Sequence, residues 1–111
     1  MNSEISSNKQ FECQLFNSLN LGLIQFEQVE FIECEFSNCF FVETIFINST
    51  FIRCRFENCD LSMIKIPGCT FSGIQFQSSK LLGIDWTKAQ WGASLIEDPF
   101  VFDGCVLNYS T

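Results

Sequence analysis

At 111 residues the chain has the size of one domain, and its 13 acidic against 6 basic residues give a formal net charge of −7. That balance argues against sequence-independent nucleic-acid binding, which needs Lys and Arg to neutralise phosphates. The absence of His removes the commonest general base, and no run of 18 apolar residues is present to form a membrane-spanning helix.

Residues 1–10 are polar and are read as an N-terminal lead-in or partial cap. Met1-Asn2-Ser3-Glu4-Ile5-Ser6-Ser7 has neither the basic start nor the apolar stretch of a secretory signal, so a cytoplasmic location is expected. In that compartment the seven Cys, an odd number, read as reduced thiols rather than a disulfide framework. The sequons Asn48-Ser49-Thr50 and Asn108-Tyr109-Ser110 then carry no glycan.

From Phe11 every fifth residue is large and apolar, without exception as far as Trp91. Phe dominates the series, through Phe31, Phe36, Phe41, Phe46, Phe51 and Phe56, with Leu21, Leu61, Leu81, Ile66 and Trp86 as the variants. Two positions earlier a compact residue recurs through the middle of the chain: Val29, Cys34, Cys39, Thr44, Ser49, Cys54, Cys59. A period of five is neither the helical 3.6 nor the strand 2, so an internal repeat governs the chain.

This pattern resembles the pentapeptide-repeat family, whose motif centres on Phe or Leu with a small residue two before it. The resemblance runs from 11 to 91 and implies an all-β fold, a right-handed quadrilateral β-helix of about four coils. With four repeats per coil, equivalent residues stack about 4.8 Å apart, the ordinary strand spacing. Columns of twenty support this. Phe11, Phe31, Phe51, Phe71 and Trp91 align, as do Phe16, Phe36, Phe56 and Phe76, and like falls over like in the other two columns.

After Trp91 the register fails. Residues 92–101, with Gly92 and Pro99, read as a loop, and 102–111 as a resumed but incomplete repeat centred on Phe102 and Leu107 with Cys105 as compact partner. The chain ends where the next large residue should come, so it is expected to be a truncated member of the family or to cap itself by association.

Chemistry finds little footing. Cys34, Cys39, Cys54 and Cys59 are spaced by five and twenty residues, unlike the short gaps of zinc sites, and read as buried core thiols. No phosphate-binding glycine loop or nucleophile elbow occurs. No catalytic, metal or cofactor residue is assigned, and no enzyme is expected.

Surface positions carry the functional signal. Glu12, Glu27, Glu30, Glu33, Glu35 and Glu43 occur before the first Arg, at 53, with no Lys or Arg after residue 10 to offset them. Arg53 and Arg55 fall one coil above Glu33 and Glu35, so two vertical ion pairs are expected. The candidate partner-binding residues are Glu30, Glu33, Glu35, Glu57 and Asp60. Asp60-Leu61-Ser62-Met63 and Leu81-Leu82-Gly83-Ile84 resemble segments of the quinolone-resistance and microcin-immunity subgroup, which implies an acidic rod imitating duplex DNA and binding DNA gyrase or topoisomerase IV. A rod on the order of 20 Å long would face roughly twelve charges of duplex, more than the net −7 of this chain. The other reading is a scaffold module whose charges only solvate a Phe-rich wall, and neither reading involves direct contact with nucleic acid or membrane. Phe40, Val42, Ile45 and Ile47 also point outward, marking a possible apolar interface for a partner or a second copy. The open end of the last coil offers another route to a homo-oligomer.

Overall fold

In the computed structural model, which describes residues 5–89 and 101–106, one local form of the repeat predominates. Three extended residues present the middle one inward, and the residue after them turns the chain with a positive φ. That turn recurs every fifth position from Asn8 (φ 62) through Cys13, Glu33 (φ 55) and Arg53 (φ 51) to Gly83 (φ 66), and again at Gly104. A left-handed conformation costs an L-residue roughly 1–2 kcal/mol. The sequence meets this cost partly with Gly68, Gly73 and Gly83 and with Asn at 8, 38, 48 and 58. Two extended segments joined by such a bend meet at a corner, and four corners close a coil.

Stacked coils form four faces. On the first, β1 (Gln10–Glu12), β4 (Glu30–Ile32), β7 (Thr50–Ile52) and β9 (Thr70–Ser72) pair in that order. On the second, β2 (Leu15–Asn17), β5 (Glu35–Ser37), β8 (Arg55–Glu57), β10 (Gln75–Gln77) and β11 (Val101–Asp103) do the same. The third face holds only single bridges, Asn20 to Phe40 to Asp60 to Lys80 to Val106. There the chain folds into turns closed by Ile24, Thr44 and Ile64 N–H bonds to the Leu21, Phe41 and Leu61 carbonyls at 3.1–3.3 Å. On the fourth face β3 (Gln25–Glu27) pairs with β6 (Ile45–Ile47), Lys65 bridges to Ile45, and a 3₁₀ turn at Trp86–Lys88 replaces the next strand. All pairings are parallel, with Phe11 opposite Phe31 and Phe16 opposite Phe36. The crossovers follow the right-handed rule for parallel strands of one sheet. The chain is a quadrilateral β-helix.

The interior is filled by ring columns. Phe36 stacks on Phe16 and Phe56 with centroids 5.1 and 4.7 Å away, and meets Phe31 edge-on at 5.2 Å and 73°. Phe31, Phe36, Phe41 and Phe76 are at most 1% exposed. Trp86 packs edge-on against Phe71 and Phe76.

The compact position lies inside each corner, where a Cys, Ser or Thr side chain donates to the carbonyl of a central residue one coil earlier. Thr44 Oγ1 bonds the Leu21 carbonyl at 2.8 Å, and Cys54 Sγ the Phe31 carbonyl at 3.3 Å. Small donors satisfy polar atoms there that the rings cannot reach.

Residues 5–9 already follow the wall: Ile5 is buried, Asn8 donates to the Glu27 carbonyl at 2.9 Å, and Ser7 Oγ accepts the Glu27 N–H. Val101, placed in the expected loop, opens β11, which pairs with β10 and stacks Phe102 on Phe76 at 5.2 Å. Cys105 reaches the Phe76 carbonyl across 29 residues where Cys59 reaches Phe36 across 23, so this coil carries six extra residues. Trp91, residues 92–100 of the expected loop, and Leu107 of the resumed repeat lie outside the described residues.

Removing one ring from the column leaves a cavity between two neighbours that the coil spacing holds apart. Phe36→Ala is expected to lower unfolding free energy by about 3–5 kcal/mol, read by urea titration.

Candidate functional site

Three of the candidate acids gather at one corner. Glu30 begins β4 on the first face, Glu33 is the corner residue, and Glu35 begins β5 on the second face. All three are exposed. Their spacing is set by the wall, since strand residues flanking an inward Phe must point outward. In the coil below, Cys13 Sγ donates to Glu33 Oε1 at 3.4 Å, and Gln10 Nε2 holds Glu12 at 2.8 Å. Glu27 extends the acidic surface back onto the fourth face, with Gln25 Nε2 3.3 Å away.

Glu57 and Asp60 are not part of that corner. Glu57 closes β8 one coil higher, opposite Ser37, and Asp60 lies on the third face above Phe40. Both are half-buried. Arg55 sits directly above Glu35 in register but binds Glu57 of its own strand, Nη2 to Oε1 at 3.6 Å. The expected Glu35–Arg55 pair is thus replaced by a same-strand pair, because residues two apart on a strand share a face and need no reach between coils. Glu33, Glu35, Arg53, Arg55, Gly73 and Gln75 line an open groove of about 610 Å³. Its charge is mixed. The mainly acidic surface, with Lys9 exposed at its lower edge, therefore belongs to the two lower coils and stops where the arginines begin.

The apolar candidates occupy the diagonally opposite corner, between the third and fourth faces. Phe40 is 43% exposed, its ring lying across Gly22, where a Cβ would come within 3.3 Å of it. Val42, Ile45 and Ile47 are half-buried. More exposed are Leu23 at 77% and Met63 at 45%, both corner residues with positive φ (66° and 61°). Leu15, 66% exposed beneath Glu35, went unread in the sequence because nothing in the repeat marks its position as prominent.

All seven cysteines are unpaired, and Cys34, Cys39, Cys54, Cys59 and Cys69 are buried. Burial pushes the Cys54 thiol up to about 12 and Cys69 to about 11, and it raises Cys34 as well. Cys39 and Cys59 lie one coil apart, and their proximity lowers the first thiol and raises the second, while each Sγ donates to a backbone carbonyl, that of Phe16 at 3.5 Å and that of Phe36 at 3.4 Å. Among the described residues no group of three or more metal-ligating side chains converges, and no helix is long and apolar enough to cross a membrane.

A family model described as "Pentapeptide repeat region" matches residues 24–111. Among solved structures, a trypsin-treated variant of QnrB1, described as a plasmid-mediated fluoroquinolone resistance protein, matches with a TM-score of 0.52 at 17% identity. That match covers 90% of this chain and 54% of QnrB1. A pentapeptide repeat protein from the Arabidopsis thaliana thylakoid lumen matches at 14% identity with a TM-score of 0.35, over 87% of this chain and 60% of its own. This chain thus spans little more than half the length of either structure. No curated protein matches.

Cys13 reports on the acidic corner. The hydrogen bond to Glu33 holds its thiol above the ordinary value, with slight desolvation and the Glu33 charge acting in the same direction. Glu33→Gln is expected to lower the Cys13 pKa and to speed its modification by a disulfide reagent at pH 8, while the five buried thiols react only on unfolding. Labelling rates followed by mass spectrometry check both statements.

Proposed function

This chain belongs to the pentapeptide-repeat family, and from that footing we propose that it acts without catalysis, as a protein-binding solenoid whose acidic corner docks onto a basic surface of a type II topoisomerase, DNA gyrase or topoisomerase IV. The observation that carries this reading is the placement of Glu30, Glu33 and Glu35 around a single corner of a rigid coil, with Glu12 and Glu27 alongside. Carboxylates fixed on a wall lose little freedom on binding, so their attraction for a cationic partner is not spent on ordering them. The choice of partner rests on the resemblance to the quinolone-resistance subgroup and on a fold shared with QnrB1, a fluoroquinolone resistance protein. Such a role belongs in the cytoplasm.

The extent of the imitation is limited by Arg53 and Arg55. Two coils of acidic wall span on the order of 10 Å, against about one phosphate per 1.7 Å in duplex DNA. The surface would therefore replace a short stretch of backbone rather than a full binding site. The mixed groove of Glu33, Glu35, Arg53 and Arg55 favours the second reading, a scaffold module with no topoisomerase role, in which these charges serve solubility.

Competition with DNA for gyrase separates the two. The first reading expects saturable binding that weakens with salt and falls more than about tenfold when Glu30, Glu33 and Glu35 are all changed to Lys. Binding indifferent to that triple reversal would sink the acidic-corner proposal, and no binding to either topoisomerase selects the scaffold.

A further inference from the structure

Four of the buried cysteines form two vertical pairs between the second and third coils, Cys34 below Cys54 and Cys39 below Cys59. Within each pair the bonds match. Cys39 Sγ donates to the Phe16 and Ser37 carbonyls at 3.5 and 3.4 Å, and Cys59 Sγ to those of Phe36 and Glu57, both at 3.4 Å. Cys34 and Cys54 repeat the pattern on Phe11 and Phe31 at 3.4 and 3.3 Å. Matched bonds mean matched side-chain orientation, so the sulfurs of a pair are separated by the coil step itself. Phe36 and Phe56, in the same two coils, put that step at 4.7 Å. Leu19 and Ser79 continue one column and Gln14 and Ile74 the other, so neither pair has a third thiol next to it in line.

We infer that each stacked pair is a site for one soft, two-coordinate cation, copper(I), held in line between its two sulfurs. Metal–thiolate bonds are about 2.3 Å long, so two in line span about 4.6 Å, which matches the coil step. A disulfide would require sulfurs about 2.05 Å apart, and parallel coils hold them at more than twice that. Inward side chains stand roughly perpendicular to the wall. The line joining the sulfurs therefore meets each Cβ–Sγ bond near a right angle, the direction in which a thiolate lone pair points. Ligand number selects the ion. Zinc takes four ligands, but the chain has no His, and among the described residues no third Cys, Asp or Glu joins either pair. Soft thiolates favour copper(I), which binds two of them in line. On binding, each pair releases both thiol protons to solvent and gains one positive charge, leaving one negative charge in the wall. Burial opposes that charge, raising Cys34 and Cys54, while the corner backbone of Cys13 and Glu33 acts in the opposite direction. No acidic-corner side chain takes part, so this inference stands independently of the topoisomerase reading.

Copper(I) loading of the full chain tests it. The core thiols open only when the chain unfolds, so copper(I) is supplied during refolding from urea without oxygen. Cys13→Ser and Cys105→Ser remove the more accessible thiols beforehand. After a wash with a copper(I) chelator, one copper ion per pair is expected to remain, with X-ray absorption showing two sulfur neighbours. Cys39→Ser is expected to halve the retained copper, Cys39→Ser with Cys54→Ser to abolish it, and Cys69→Ser to leave it unchanged. Serine fits these positions, since Ser79 makes the same two bonds, to the Phe56 and Gln77 carbonyls. Circular dichroism of the metal-free variants verifies the fold. Copper lost in the wash, or retained equally after Cys39→Ser with Cys54→Ser, overturns the proposal.

Discussion

Stacking of identical side chains at the strand spacing is the constraint on which the rest of the molecule depends. Parallel coils in register put each central residue directly over its equivalent about 4.8 Å below, and a flat ring fills that step with little waste. The observed centroid separations of 4.7–5.5 Å within the stacked columns show the rings accepting the backbone's spacing. Aromatic pairs favour offset stacks and edge-to-face contacts, and here each ring makes the first along its column and the second across it. The remaining positions follow. The corner interior must be compact because four columns of large side chains, mostly rings, already occupy the space, and Cys, Ser and Thr suit it because they can also donate to a carbonyl below.

The inward half of this arrangement was legible in the sequence because it repeats without exception. Phe36 and Cys39 could be assigned from spacing alone, and both are buried as expected. The corner conformation was not legible. Leu23, Arg53 and Met63 adopt it beside Asn and Gly, since the coil above and below imposes the bend and overrides local preference. Nor did the repeat reveal that its third face is turned rather than stranded, because Leu21 and Phe16 obey the same rule while their flanking residues pair differently. The candidate site was half legible. Outward direction followed from the period, but which neighbour a long side chain chooses did not, and Arg55 closed on Glu57 instead of Glu35.

A wall this regular separates folding from recognition. Substituting an outward residue leaves the columns untouched, so opposite corners of one coil can diverge. Here one corner gathers carboxylates and the diagonal one gathers Phe40, Leu23 and Met63. The arginines of the third coil then act as a boundary, confining the acidic field to the two coils below them.

The six additional residues before β11 show how much irregularity the solenoid absorbs. Phe102 lies on Phe76 with an interplanar angle of 8°, as parallel as Phe71 on Phe51, which have no insertion between them. Coil-to-coil pairing therefore resumes at full quality after six added residues, and loop closure penalises added length only logarithmically. The connection ahead of β11 can serve as a grafting point. A foreign segment inserted there would be displayed on a rigid lattice of known pitch, with the column of rings on either side indifferent to its sequence.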